Sequence, residues 1–377
     1  MYPIYLDYAA TTPLDPRVLK SMIDGMNEKD SFGNASSLHH YGRKAKAYIE
    51  EARSKIAHYL HADPTEIIFT SGATEANNLA IKGIAYLYQR KGKHIVTIKT
   101  EHKAVLDACQ HLEKEGFSVT YLTPEVDGRI DIDKFKAAIR KDTILVSVMH
   151  VNNETGVIHD LQTMSEITSS QHIFFHVDAA QSMGKLSLDV STLPLDLISL
   201  SAHKVYGPKG IGALYLRKKP RVRVLPLFHG GGHEQGLRSG TLPTYQIIGM
   251  GEAYHLASME YAKDSQRITA LRDDFLKALS SIQTIQLNTA YSLTVPHIVN
   301  LRFEGMLADA ILKQLPHIAT STASACQGKG IEGSYVLRAM GLSDASIKSS
   351  IRFSFGRFTT KEEIKKASKM ILDLFQT

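Results

Sequence analysis

Between residues 67 and 217 the chain repeats one pattern: a short run rich in apolar and β-branched residues, then a helix-length amphipathic segment, then another such run. The runs fall at 67–70, 94–98, 119–122, 144–148, 173–177, 197–200 and 213–216. Several are almost continuously hydrophobic, as strands covered on both faces must be. This is the grammar of an α/β domain built on a mainly parallel, seven-stranded sheet flanked by helices.

Past about residue 255 the grammar changes. A long helical stretch precedes a strand-like run at 297–303, a helix, a Ser/Thr/Ala-rich loop, a second run at 351–355 and a final helix. The reading is a large domain over 14–255 and a smaller α+β domain made of 1–13 and 256–377, with no Pro- or Ser-rich linker between them. Thr359 and Glu362 are spaced as a capping box for the last helix.

Bulk properties exclude several classes. Hydrophobic residues are 43% and charged residues 22%, so neither disorder nor a fibrous repeat is indicated. No apolar run is long enough to span a bilayer, and the first residues lack the basic-then-apolar order of a secretory signal. Two cysteines in 377 residues predict no disulfide framework and a reducing, cytoplasmic setting. The net charge of +6 is spread along the chain, which argues against direct nucleic-acid binding.

Chemistry-bearing residues sit where the runs end. The run that starts after Asp196 delivers Ser201, His203 and Lys204 into a turn, and a partly desolvated lysine there can form a Schiff base, although most lysines near strand ends are simply solvated. Asp178 stands at the exit of the preceding run, either as a helix cap or surface carboxylate or as the anion that keeps a pyridinium nitrogen protonated. The stretch 71–75 passes from a strand through small residues into a helix. It is an ordinary capped helix start or a phosphate cup made of backbone amides and the Thr74 hydroxyl. His102 could stack on a planar ring and exchange protons, and Asn153 could hydrogen-bond a ring oxygen, each with a turn-forming alternative. Five such exits on one parallel sheet share an edge, and ligands bind at that edge.

The stretches at 5–13, 32–37, 71–75, 150–154, 176–181, 201–204 and 238–241 closely resemble, in order, those of the cysteine desulfurases, class V of the fold-type I pyridoxal-phosphate enzymes. The resemblance implies pyridoxal 5′-phosphate as cofactor, with no metal. It assigns Lys204 as the lysine that holds the cofactor, Asp178 as the pyridinium partner and His102 as the stacking acid/base. Ala73, Thr74, Ser201 and His203 resemble the phosphate cup, and Asn153 and Gln181 the contacts to the ring 3-oxygen. Arg352 resembles the clamp for the substrate carboxylate, with Arg357 as fallback, and Asn34 falls in a substrate-side motif. Thr241 resembles a residue that reaches the phosphate of the neighbouring subunit, implying a homodimer.

Cys326 lies in a run of small polar residues and glycines at 320–330, where a thiol is better placed to react than to fill a core; Cys109 instead fits a helix face and reads as structural. The resemblance implies conversion of L-cysteine to L-alanine, leaving a persulfide on Cys326 for a protein sulfur acceptor. Two neighbours depart from the family pattern, Ala323 and Gln327, and the chain stops soon after its last helix. Supply to an iron–sulfur scaffold, to tRNA thiolation or to another thio-modification stays open on this reading. The competing readings are a selenocysteine lyase or other β-lyase, which needs Lys204 and Asp178 but not Cys326, and a non-catalytic sulfur-transfer scaffold.

Overall fold

The computed structural model describes residues 3–27, 29–322 and 333–375. After strand β1 (Ile4–Tyr5), seven strands form the large sheet: β2 (Ile67–Thr70), β3 (His94–Ile98), β4 (Ser118–Leu122), β5 (Thr143–Met149), β6 (Phe174–Asp178), β7 (Leu197–Ser201) and β8 (Gly212–Leu216). Their order is β2-β8-β7-β6-β5-β3-β4. The pairs β3·β4, β3·β5, β5·β6 and β6·β7 are parallel, whereas β8 runs antiparallel to both β2 and β7. The sheet is therefore mixed but mostly parallel, with six strands pointing the same way and their carboxyl ends along one edge.

The chemistry of the runs explains the layers. Every residue of β3, β5, β7 and β8 is buried, and helices cover both faces, giving two hydrophobic cores on the two sides of the sheet. The helix Ala73–Tyr88 packs Leu79, Ile81 and Ile84 into one of them; Ile247, Met250 and Tyr254 of the long helix Thr244–Leu279 enter the other.

A second sheet follows, from β9 (Ile285–Leu287), β10 (Ile298–Phe303), β12 (Ser321–Thr322) and β13 (Ser350–Ser354), antiparallel in the order β12-β13-β10-β9. Between them β11 (Ile318–Ala319) pairs in parallel with β1, tying the amino terminus to this region. Its own core contains Leu6, Leu271, Phe275, Phe303, Ile351 and Phe353. The helix Thr244–Leu279 is continuous through residue 255, so the boundary expected there falls inside one helix whose two halves face different cores.

The last helix, Lys361–Asp373, carries its capping box one residue later than the sequence spacing suggested. Thr360 accepts from Glu363 N and the Glu363 carboxylate accepts from Thr360 N. Thr359 is buried instead, its hydroxyl accepting from Gly356 N at 3.0 Å. Among the described residues no helix is long and apolar enough to cross a membrane.

Candidate active site

The shared edge of the six parallel strands opens into a cavity of about 570 Å³. Each of the five strand exits singled out in the sequence contributes to its lining. Ala73 and Thr74 follow β2, His102 follows β3, Asn153 follows β5, Asp178 ends β6 with Gln181 just beyond, and Ser201, His203 and Lys204 end or follow β7. Arg352, from β13 of the second sheet, closes the wall.

Asp178 and Lys204 leave neighbouring parallel strands. The carboxylate is nearly buried and held from two sides, Oδ2 accepting from Asn77 Nδ2 at 2.7 Å and Oδ1 from Ala180 N at 3.0 Å. Lys204 Nζ donates to the carbonyls of Ala9 and Ala10 at 2.5 and 2.7 Å. Those carbonyls belong to the amino-terminal segment that β1 and β11 fix in place, and Gln181 Nε2 donates to Ala9 O as well. A second amine lies close by: Lys185 Nζ donates to the Lys204 carbonyl at 2.8 Å, and burial with the nearby Lys204 and Arg357 charges pushes Lys185 down to about 7. Burial, aided by Lys204, Lys209 and Lys185, pushes His203 down to about 4, so its imidazole is neutral at physiological pH and Nδ1 meets Thr11 Oγ1 at 3.1 Å.

The 71–74 turn is shaped for an anion. Gly72 precedes the helix Ala73–Tyr88 with φ of +154° and has open space where a Cβ would be; across from it, a Cβ on Gly212 would lie 2.6 Å from Gly72 Cα. The first-turn amides of that helix have no side-chain cap, which leaves them available to oxygen ligands. Glu75 accepts from Ser71 N at 2.7 Å and pairs with Arg238 at 2.8 Å, so its charge is balanced from the loop at 230–241. His102 caps the helix Lys103–Lys114, Nδ1 accepting from Ala104 N at 3.1 Å, an arrangement that orients the ring.

Several residues that sequence reasoning passed over support these groups. Asn77 holds Asp178 from a helix face otherwise lined by Ala76, Leu79 and Ala80. Glu101 is fully buried behind His102, accepts from Met149 N at 2.6 Å, and has its carboxyl pushed well above the usual range by desolvation. Arg352 is buried, with Nη2 on Asp7 Oδ1 and Nη1 on the Asn153 carbonyl, both at 2.8 Å. Its pair with Asp7 is therefore not a surface ion pair. Arg357, the fallback, is taken up by Asp15 and Asp264 and lies over the Tyr206 ring, away from the cavity lining.

Three expected site residues are not among the cavity-lining residues. Thr241 is exposed in the loop after Gly240. Asn34 is exposed and spends its Oδ1 on Ser36 N at 2.9 Å. Cys326 lies outside the described residues. Cys109 is buried in the helix Lys103–Lys114 and desolvation pushes its thiol pKa up, which fits the structural reading.

With this geometry established, comparison with known proteins decides the affiliation: the profile of aminotransferase class-V matches residues 4–367. The chain belongs to the class-V aminotransferase family. Within this family it is 55% identical over 370 residues to the cysteine desulfurase IscS of Vibrio vulnificus strain YJ016, covering 98% of this chain and 92% of that protein. A solved structure described as a NifS-like protein superposes with a TM-score of 0.92 at 33% identity, covering 99% of each chain. Another, described as SspA in complex with cysteine, gives 0.84 at 39% identity over 94% of this chain and 99% of that one.

Class-V aminotransferases imply pyridoxal 5′-phosphate, and the cavity's residues fit it. Among the described residues, Asn153 Oδ1, Gln181 Oε1 and Asn77 Oδ1 are buried without hydrogen-bond partners. The first two belong to cavity-lining residues. A polar heterocycle supplies what such atoms lack in an apolar interior. An amine, a carboxylate and an uncapped helix terminus distributed around one cavity match the cofactor's aldehyde, ring nitrogen and phosphate.

Proposed function

We propose that this class-V family member is a cysteine desulfurase that takes sulfur from L-cysteine, releases L-alanine and carries the sulfur as a persulfide on Cys326. The observation that carries the reading is the convergence of Lys204 and Asp178, from adjacent parallel strands, on one cavity that also holds His102 and Arg352. The close likeness to cysteine desulfurases supports the choice of reaction.

When bound, the cofactor supplies an electron sink that makes the substrate's α-proton acidic and stabilises the electron pair left on carbon when the C–S bond breaks. The rest is work for the chain. Lys204 would hold the cofactor through its aldehyde carbon, and His102 would serve as the acid/base that moves the substrate's protons. Asp178, held by Asn77 and the Ala180 amide, would pair with the ring nitrogen. Ala73, Thr74, Ser201 and His203 would bind the phosphate, Asn153 and Gln181 the 3-oxygen, and His102 would lie against the ring. Arg352 grips the substrate carboxylate with Asn34 at the substrate side. In the sulfur step the Cys326 thiolate attacks the substrate sulfur: an S–S bond forms, the C–S bond breaks, and the electron pair left on carbon takes a proton, so no outside oxidant or reductant is consumed.

On this reading the chain works as a homodimer in which Thr241 reaches the neighbouring subunit's phosphate. The large domain is 14–255, and 1–13 with 256–377 form the smaller one carrying Cys326. The compartment is the cytoplasm, and the acceptor is a protein such as an iron–sulfur scaffold. The test is to assay alanine and sulfide from cysteine with the cofactor-loaded protein and with Cys326→Ala. Loss of at least ~100-fold in the variant is the result a covalent nucleophile requires. Undiminished turnover would instead favour a β-lyase that works without the thiol.

A further inference from the structure

Next to the clamp residue Arg352 lies a carboxyl, Glu154, that is only 3% exposed and does not line the cavity. It follows Asn153 in the turn after β5, and its Oε2 accepts from Ser334 Oγ at 2.5 Å. Ser334 itself accepts from Leu337 N at 3.1 Å at the start of the helix Tyr335–Ala339, so the single hydroxyl proton is given to Glu154. The main chain of Glu154 docks on the second sheet: Asn300 Nδ2 of β10 donates to Glu154 O at 3.0 Å, and Asn300 stands opposite Arg352 of β13. Cross-strand partners share a face, so Glu154 is seated over the face that carries Arg352.

These surroundings favour the neutral acid. Among the described residues Glu154 forms no ion pair, because the Arg352 guanidinium is engaged by Asp7 and the Asn153 carbonyl. Burial without a cation in contact penalises the anion, and one hydroxyl donor compensates for only part of that. Burial pushes the carboxyl up to about 7, against the pull of Ser334 and of the nearby Arg352 charge. The other charged groups on the neighbouring elements are Asp7, on Arg352 Nη2, and Glu101 and Lys103, whose main chain and amine meet the hydroxyl and ring of Tyr335. A substrate carboxylate on Arg352 would bring a further negative charge to Glu154 and raise its affinity for a proton. By linkage, the protonated form of Glu154 is then the form that binds the substrate more tightly.

We propose that Glu154 is a positioning residue that acts through Arg352: it takes a proton from solvent as the substrate carboxylate reaches the clamp and returns it when the product leaves, so that the clamp meets its ligand without a second buried anion beside it. This rests on the role given above to Arg352.

The experiment is the pH dependence of KM for cysteine in the cofactor-loaded protein, with Glu154→Gln as the permanently neutral form. Dividing the wild-type KM by that of the variant at each pH cancels the titration of cysteine itself. The ratio is predicted to stay within about two-fold near pH 6 and to rise about five- to ten-fold by pH 8.5, the scale of one like-charge interaction at a shared site. Ser334→Ala, which withdraws the hydroxyl from the carboxylate, moves that rise to higher pH. L-Alanine, which has the carboxylate but no sulfur to lose, gives a reading apart from turnover. Calorimetry near pH 7.5 in buffers of different ionisation enthalpy should show the wild type taking up about half a proton more than Glu154→Gln when it binds L-alanine. A KM ratio that is flat across pH, an equal proton count in the two proteins, or a Ser334→Ala profile that does not move would overturn the proposal. An unchanged KM in Arg352→Lys would strike the clamp reading itself, whereas a raised KM in Arg352→Lys beside a flat Glu154→Gln ratio would strike only the role of Glu154.

Discussion

The Asp178 carboxylate is held by a neighbour that does not itself line the cavity. Asn77→Ala removes the 2.7 Å hydrogen bond to its Oδ2 inside the core, and a buried hydrogen bond to a charged group contributes about 1.5–3 kcal/mol. A lower melting temperature of the cofactor-free protein, by calorimetry, and weaker cofactor binding, by absorbance titration, are both expected. Arg352→Lys keeps the charge but loses the planar fork, so KM for cysteine should rise about ten-fold or more with the cofactor's absorbance unchanged. At this scale the sequence disclosed residues that stand at strand exits, because a polar group ending an apolar run is conspicuous. Lys204, Asp178, Asn153 and His102 were legible for that reason. Asn77 was not, since it lies on a helix where one polar residue among Ala76, Leu79 and Ala80 looks like noise, although an amide on a buried stripe is itself a signal. Glu101 was hidden by its place beside His102, which drew the attention to the imidazole.

The loop at 230–241 is anchored by an ion pair inside the fold. Arg53 donates to both Glu234 oxygens at 2.8 Å, and Glu234 also accepts from Phe69 N of β2 at 2.6 Å; both side chains are almost wholly buried. Glu234→Ala leaves the buried guanidinium with the Ile67 carbonyl and Glu50 at the rim, and breaking such a pair costs about 3–5 kcal/mol. Lys20→Ala, which breaks the exposed Lys20–Asp24 pair, should change stability by less than about 0.5 kcal/mol. Urea unfolding of the two variants separates these outcomes. The seven long strands were readable because a doubly covered strand must be apolar throughout, and their ends came within a residue of the observed ones. The direction of β8 was not readable, since a buried run looks the same in either sense. Two- and three-residue strands such as β1, β9, β11 and β12 hold too few side chains to show a period, and they exist because the segments beside them align their backbones.

Across the whole molecule, burial of neutral imidazoles sets the response to acid. Desolvation pushes His150, His159, His176 and His203 down to about 4 from an ordinary value of 6.5, and pushes His297 well below that ordinary value too. Each therefore contributes stability that is present above pH 6.5 and lost as the pH falls toward 4. Glu101, Glu154 and Asp196 act oppositely: burial pushes Glu101 well above its ordinary range, Glu154 up to about 7 and Asp196 up to about 6, so their contribution falls as the pH rises toward those values. Five imidazoles outweigh three carboxyls, and the unfolding free energy of the cofactor-free protein should drop from pH 6.5 to pH 5; a rise over that interval would contradict the burial of these histidines. The division into two sheets was legible from the change in pattern near residue 255, while the single helix that spans it was not, because its two halves simply face different cores. All of the chemistry rests on one amine among several near the cavity. Borohydride reduction of the cofactor-loaded protein, followed by peptide mapping, locates the lysine bonded to the cofactor: the account predicts Lys204, and attachment at Lys185 or Lys209 would contradict it.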